Sequence, residues 1–271
     1  MAITTDYHCH TDFSSDSSTP MEEMIKRALS LGMTHLCFTE HMDFDYPVNP
    51  KDGLTFSLDT LAYRNTFLTL KEKYQERLTL LWGVELGIQP HLSQRLEEYT
   101  SSHPFDFIIA SSHLLYGEDP YYPSFFETRN EDLVYEDYFK EITDNIKAFS
   151  SFDVYGHLDY IVRYGPNKDA RYSYEKYRDI FDQLLLALIE RGKGLEVNTG
   201  GLKYGLRQLH PITDILKRYR SLGGEIITIG SDAHQPKNLQ HEFSLAQNVL
   251  LDCGFRYHTV FQNRTAQFIP L

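Results

Sequence analysis

A parallel α/β barrel is the fold this sequence predicts, on three observations. Short apolar runs alternate with helical patterns from one end of the chain to the other. Polar motifs rich in His and Asp follow nearly every run, and the 271 residues suit a barrel that commonly needs about 250. Seven strand–helix repeats imply parallel strands with right-handed crossovers. An open sheet concentrates its site at one switch point, whereas a barrel draws on all the loops at its C-terminal face. Motif residues after almost every strand therefore favour the barrel. No linker, repeat or low-complexity tract divides the chain, so 1–271 reads as one domain.

The elements follow in order. Residues 3–8 read as the first strand, and Thr19-Pro20 as the cap and first turn of a helix over 21–32. A strand at 34–38 precedes an amphipathic helix at 58–76; a strand at 78–86 precedes a helix around 91–99. Strand 105–111 leads to helix 132–149, strand 153–156 to helix 174–191, and strand 195–198 to helix 211–222. A strand at 225–229, a helix near 239–251 and a short run at 258–261 complete the pattern. The Tyr/Pro-rich stretch 114–130 is too long for a simple turn and reads as a lid or pocket wall. Residues 43–54 and 159–172 are similar, more polar insertions.

Composition narrows the function. Net charge is −12, and no basic run appears anywhere. Nucleic acid is disfavoured as a partner, because phosphate-backbone affinity needs clustered Lys and Arg. The N-terminus lacks a signal pattern and no apolar run approaches about 20 residues, so no membrane is expected. Three widely spaced cysteines, none in a CxxC pair, fit reduced thiols in a cytoplasmic protein. Cys9 would point away from its flanking histidines in an extended chain and reads as a buried strand residue. Part of the excess of 19 tyrosines is expected to line a cavity. No pattern sets an oligomeric state.

Six of the 12 histidines fall where an apolar run gives out, beside carboxylates or small residues. His8 and His10 lie in Asp6-Tyr-His-Cys-His10, His41 in Thr39-Glu-His41 and His113 in Ser111-Ser-His113. His157 follows Tyr155-Gly, and His234 closes Gly230-Ser-Asp-Ala-His234. A fold that gathers strand ends would bring this much imidazole and carboxylate into one site, where a cation is needed to relieve repulsion. His8-x-His10 at a strand end points both rings to one side, which suits two ligands on one metal. The remaining histidines, His35, His91, His103, His210, His241 and His258, lack this context and read as surface or core polar residues. Glu40 reads as supporting or solvated, Asp43 and Asp159 are ambiguous, and Trp82 reads as core.

The ordered set His8-x-His10, Asp16, Thr39-Glu-His41, Gly83-Val-Glu85, Ser112-His113, Gly156-His157 and Gly230-Ser-Asp232-Ala-His234 resembles the polymerase-and-histidinol-phosphatase (PHP) family. The resemblance spans residues 8 to 234. It implies a distorted seven-stranded (β/α)7, TIM-like barrel and a centre of three divalent ions: zinc, iron or manganese. By resemblance, His8, His10, Glu85 and Asp232 would hold the first ion. Glu85 would bridge to the second with His113 and His157, and Asp16, His41 and His234 would hold the third. Asp16 stands where some members carry His, a harder ligand that shifts preference from zinc toward iron or manganese.

Within the family, exonuclease branches would need an electropositive groove, and small phosphoesterases are shorter without long tyrosine-rich insertions. The segments Ser112-His-Leu-Leu-Tyr-Gly, Gly156-His-Leu-Asp-Tyr-Ile-Val-Arg163 and Glu196-Val-Asn-Thr-Gly-Gly resemble the histidinol-phosphatase branch. The reaction so implied is hydrolysis of L-histidinol phosphate, in histidine biosynthesis, by a metal-bridging hydroxide. Glu85, Asp232 and His234 would be catalytic, with Asp232 or His234 assisting the leaving alkoxide. Arg163 is the first candidate for the phosphate, Lys203 and Arg207 share a second such role, and Tyr116 in the aromatic loop is a candidate for the imidazole end. Other small phosphomonoesters are the alternative substrates. Amidohydrolase chemistry is disfavoured, since no lysine ends an apolar run where Glu85 stands.

Overall fold

The structure, a computed structural model, describes residues 3–48 and 52–271; residues 1–2 of the N-terminal stretch and 49–51 of the 43–54 insertion lie outside the described residues. Seven parallel strands lie in sequential order: β1 (Thr5–Asp6), β2 (His35–Asp43), β3 (Thr79–Gly87), β4 (Phe107–Ser111), β5 (Val154–Tyr155), β6 (Gly194–Asn198) and β7 (Ile227–Gly230). The backbone closes the sheet. Tyr7 donates to Ile229 at 3.1 Å, Asp232 to His8 at 2.9 Å and His10 to Ala233 at 2.9 Å, so the chain leaving β7 pairs with the chain leaving β1. The result is a nearly closed α/β barrel of the TIM-like kind.

Helices cover the outside: α1 (Met21–Ser30), α2 (Thr60–Tyr74), α3 (Ser93–Ser102), α4 (Glu131–Ala148), α5 (Arg178–Glu190), α7 (Thr213–Ser221) and α8 (Phe243–Asp252), while the one-turn α6 (Gly200–Lys203) follows β6 at the C-terminal face. α1 buries Met21, Met24, Ile25 and Ala28, one face at helical spacing. Asp59 caps α2 by accepting from Ala62 N–H, and Asn130 caps α4 by accepting from Asp132 and Leu133 N–H. Among the described residues, no helix is long and apolar enough to cross a membrane.

Several boundaries differ from the expected ones. β2 runs five residues past 38, because Thr39–Asp43 keeps pairing with β3 despite its polar sequence. The expected helix at 91–99 is a 3-10 turn followed by α3, and the one near 239–251 begins only at Phe243. The run at 258–261 belongs to a hairpin, β8 (Tyr257–Gln262) with β9 (Thr265–Pro270). That hairpin caps the N-terminal end of the barrel. Val260 and Phe261 pack against Tyr7, Leu81, Phe107 and Ile109, Tyr7 Oη donates to Phe261 O at 2.9 Å, and Arg264 pairs with Asp153 at 2.6 Å. With that end sealed by apolar packing, polar residues collect at the other.

Candidate metal centre and cavity

Six of the seven strands deliver motif residues to the C-terminal face. β2 and β3 place His41 directly opposite Glu85 in the parallel register. His8, His10, His113, His157, Asp232 and His234 leave the ends of β1, β4, β5 and β7, and Asp16 joins them from the loop after β1. Gly230 permits the closure: a Cβ there would collide with the Glu196 carboxylate and with His8 Cβ. Asp232 adopts a left-handed backbone, φ 53°, which aspartate tolerates better than most residues.

Glu85 is fully buried and divides its two oxygens. Oε2 lies 3.1 Å from His8 Nε2, 3.4 Å from His10 Nε2 and 3.1 Å from His41 Nδ1. Oε1 lies 2.8 Å from His157 Nε2 and 3.2 Å from His113 Nε2, and accepts from Ser111 Oγ at 2.7 Å. His41 and His234 approach Asp16 at 3.8 and 3.0 Å.

The donor atoms fit metal ions better than they fit one another. Four ligands about 2.0–2.1 Å from a tetrahedral zinc lie about 3.3–3.4 Å apart. Among His8, His10, Glu85 and Asp232, five of the six separations are 3.0, 3.1, 3.4, 3.6 and 3.8 Å. His41 Nδ1 and His234 Nε2 are buried without a hydrogen bond despite the carboxylates beside them. His10 is stacked between His41 and His234, with ring centroids 4.1 and 4.3 Å away. Burial and these neighbouring rings hold His10 well below the ordinary histidine range, so it is neutral with a lone pair to give. Burial opposes ionisation of Glu85, but His8, His113 and His41 outweigh it and hold the carboxyl well below its usual range. His41 faces Glu85 through Nδ1 and Asp16 through Nε2.

A further ring of carboxylates orients these histidines. Glu196 meets His8 Nδ1 at 2.6 Å, and Asp43 meets His113 Nδ1 at 2.6 Å. Glu40 accepts from Thr11 and Ser14 Oγ, each at 2.6 Å, and Ser14 contacts His10 Nδ1 at 3.1 Å. Glu196 escaped the sequence reading. Its only signal was the inward-facing pair Glu196-x-Asn198 at the end of β6, the same spacing as His8-x-His10. Asp159 pairs with the buried His210 at 2.5 Å, away from the ligand sets.

The centre opens into a cavity of about 440 Å³. Arg163 and Lys203 line it, as do Tyr121 and Tyr122 of the aromatic loop expected to meet the imidazole end; Asp119, Tyr46 and Tyr164 line it too, and these three the sequence did not single out. Arg207 and Tyr116 do not line it. Arg207, four residues past the end of α6, faces solvent, its side chain 70% exposed and paired with Asp169 at 3.3 Å. Tyr116 is half exposed, with its hydroxyl on Asp137 and Arg129 over its ring. Proximity in sequence to the motifs did not translate into facing the cavity.

Comparison with known proteins agrees with this geometry. The PHP domain matches residues 6–200. The histidinol-phosphatase of Lactococcus lactis subsp. lactis is 31% identical over 94% of this chain and 93% of its own length. A probable histidinol-phosphatase of Clostridium acetobutylicum is 32% identical over 93% and 94%. The L. lactis histidinol phosphate phosphatase, solved with zinc, L-histidinol and phosphate, superposes with a TM-score of 0.87 at 28% identity, covering 97% of this chain and 98% of that one. A putative histidinol phosphatase from Listeria monocytogenes shares the fold, with a TM-score of 0.74 at 20% identity over 89% and 99%. The chain belongs to the PHP domain family, in its histidinol-phosphatase branch.

Proposed function

We propose that this protein is a metal-dependent phosphomonoesterase that hydrolyses L-histidinol phosphate to L-histidinol and phosphate. The observation that carries the reading is a buried guanidinium with unused donors beside the converging ligands. Arg163 is 5% exposed, and its Nε and Nη2 make no hydrogen bond. Its Nη2 lies 3.5 Å from Asp232 Oδ2, and the Tyr160 and Tyr204 rings hold it at 5.0 and 4.3 Å. Such a preset planar fork suits a phosphate dianion. Lys203 spends two of its three N–H donors on Ser231 O and Asp232 O, at 2.8 and 2.9 Å, leaving one for the same anion.

The ligand sets would hold three divalent ions, zinc, iron or manganese. His8, His10, Glu85 and Asp232 would take one; Glu85, His113 and His157 a second; and Asp16, His41 and His234 a third. Bound there, divalent cations neutralise phosphate oxygens and bring the pKa of a coordinated water to about 7. Burial disfavours the Asp232 carboxylate, but His8, His234, Arg163 and Lys203 hold its carboxyl well below the usual range, so it is ionised and ready to bind a cation. Asp232 or His234, both on the cavity wall, would pass the proton released by the attacking water on to the leaving alkoxide. The Arg163 fork offsets charge on the non-bridging oxygens as the P–O bond breaks. The biosynthetic substrate and three unpaired cysteines support a cytoplasmic location.

Phosphate release from a panel of monoesters tests the assignment. Preference for L-histidinol phosphate over p-nitrophenyl phosphate is expected, and equal efficiency would leave a generic phosphoesterase. Elemental analysis with anomalous scattering tests the ion count. One occupied site under metal-replete conditions would overturn the trinuclear reading.

A further inference from the structure

The cavity carries a buried anion that the hydrolytic chemistry does not use. Asp119 is 9% exposed, lies outside every ligand set and lines the cavity wall. Its Oδ2 accepts from the Tyr46 hydroxyl at 2.6 Å, and its Oδ1 from the Tyr121 N–H at 2.8 Å. Among the described residues, no Lys, Arg or His forms an ion pair with it. A carboxylate taken out of water without a cation is costly. Two neutral donors satisfy only half of its roughly four acceptor positions. Arg163 and Lys203 both contact Asp232, whereas Asp119 is held by Tyr46 and the Tyr121 N–H and pairs with neither cation. Anion recognition and this lone carboxylate therefore occupy different parts of one cavity. Tyr121, Tyr164 and Phe56 line the same cavity.

We propose that Asp119 is the specificity-determining residue for the cationic end of the substrate, pairing with its ammonium or imidazolium group when the phosphate sits on Arg163 and the metal centre. The Tyr46 hydroxyl fixes the carboxylate, and the tyrosine faces add cation–π contacts to the same positive charge. Phosphate recognition alone admits any small monoester. Asp119 makes the cavity selective for a phosphate ester that carries a positive charge at its far end. This rests on the substrate proposed above, and it names the residue that chooses that substrate.

The test is the isosteric Asp119→Asn in the metal-loaded enzyme, with metal content and thermal midpoint measured alongside. Values of kcat/KM are compared for L-histidinol phosphate, its analogue lacking the amine, 2-aminopropyl phosphate lacking the imidazole, and p-nitrophenyl phosphate. The ratio of L-histidinol phosphate to p-nitrophenyl phosphate should fall roughly tenfold to hundredfold, mostly through KM, as for a lost charged hydrogen bond. The analogue that already lacks the contacted cation should show no such extra loss, which identifies the nitrogen. Parallel losses on all four substrates would reduce Asp119 to a support of its loop and overturn the proposal; an unchanged ratio would do the same. If Asp119→Asn does not fold, Tyr46→Phe decides by the same ratio, with a smaller fall expected. A wild-type ratio near one would instead sink the substrate assignment, a result distinguishable from either failure of Asp119.

Discussion

The Nδ1 of His8 lies 2.6 Å from Oε1 of Glu196, and both side chains are buried. The pairing turns His8 so that Nε2 points at His10 and Glu85, and it makes the ring a stronger donor. Glu196 also accepts from His157 N–H at 2.9 Å, so one carboxylate braces ligands of two donor sets. Glu196→Gln keeps the shape and removes the charge. Metal affinity should fall about 10–100-fold, read by competition with a chelator, with a matching fall in kcat/KM. Unchanged affinity would show that the pairing only packs the barrel.

Glu85→Ala and Asp232→Ala should abolish turnover and leave the far-ultraviolet circular dichroism unchanged. Glu85 touches five imidazoles within 3.4 Å, those of His8, His10, His41, His113 and His157. It sits on the face where barrel residues serve chemistry more than stability. Losing such a ligand should also lower metal content on purification. Turnover above about a tenth of wild type would argue against its bridging place, since lost charge stabilisation of several kcal/mol is expected.

The barrel was legible because its strands are apolar runs separated by amphipathic helices, a period the chain shows directly. The histidines that converge on Glu85 and Asp232 were legible because each ends such a run. What stayed hidden depends on pairing across the chain. The polar end of β2, Thr39–Asp43, is a strand only because β3 lies beside it. β9 exposes most of its side chains and gains order from pairing with β8. Glu196 reads as one polar residue in a strand until the barrel turns it inward toward His8. Asp119 owes its place to a tyrosine 73 residues earlier in the chain, which no local pattern records.

Arg163 and Arg207 both follow motif segments, yet the structure separates them by burial. Arg163→Ala should weaken all monoesters alike, by about 1.5–3 kcal/mol in transition-state binding. Arg207→Ala removes an exposed partner of Asp169 and should change kcat/KM by less than about 0.5 kcal/mol. Steady-state kinetics on both variants with two unrelated monoesters checks this. A large effect of Arg207→Ala would require the segment around α6 to close over the bound phosphate.

Acid sensitivity should arise partly at the opposite end of the barrel. His258 is buried on β8, with Nε2 3.2 Å from Thr5 Oγ1 and Nδ1 without a hydrogen bond. Burial, with a smaller contribution from His35, lowers its pKa from 6.5 to about 4. Above pH 6.5 the ring is neutral in both folded and unfolded chains, and its contribution to stability is complete. As pH falls from about 6.5 to about 4, the unfolded chain takes up a proton that the folded chain refuses, so stability is lost across that window. Below about 4 both states are protonated and the loss levels off at about 3.5 kcal/mol, from about 1.4 kcal/mol per pKa unit. His258→Gln keeps a group able to reach Thr5 but cannot titrate. The difference in unfolding free energy between wild type and variant, measured by urea denaturation at matched pH, cancels the titration of the metal ligands. That difference should move in the variant's favour between pH 7 and pH 4.5 and stay flat above pH 7. A difference independent of pH would show that His258 takes its proton in the folded barrel as readily as in the unfolded chain.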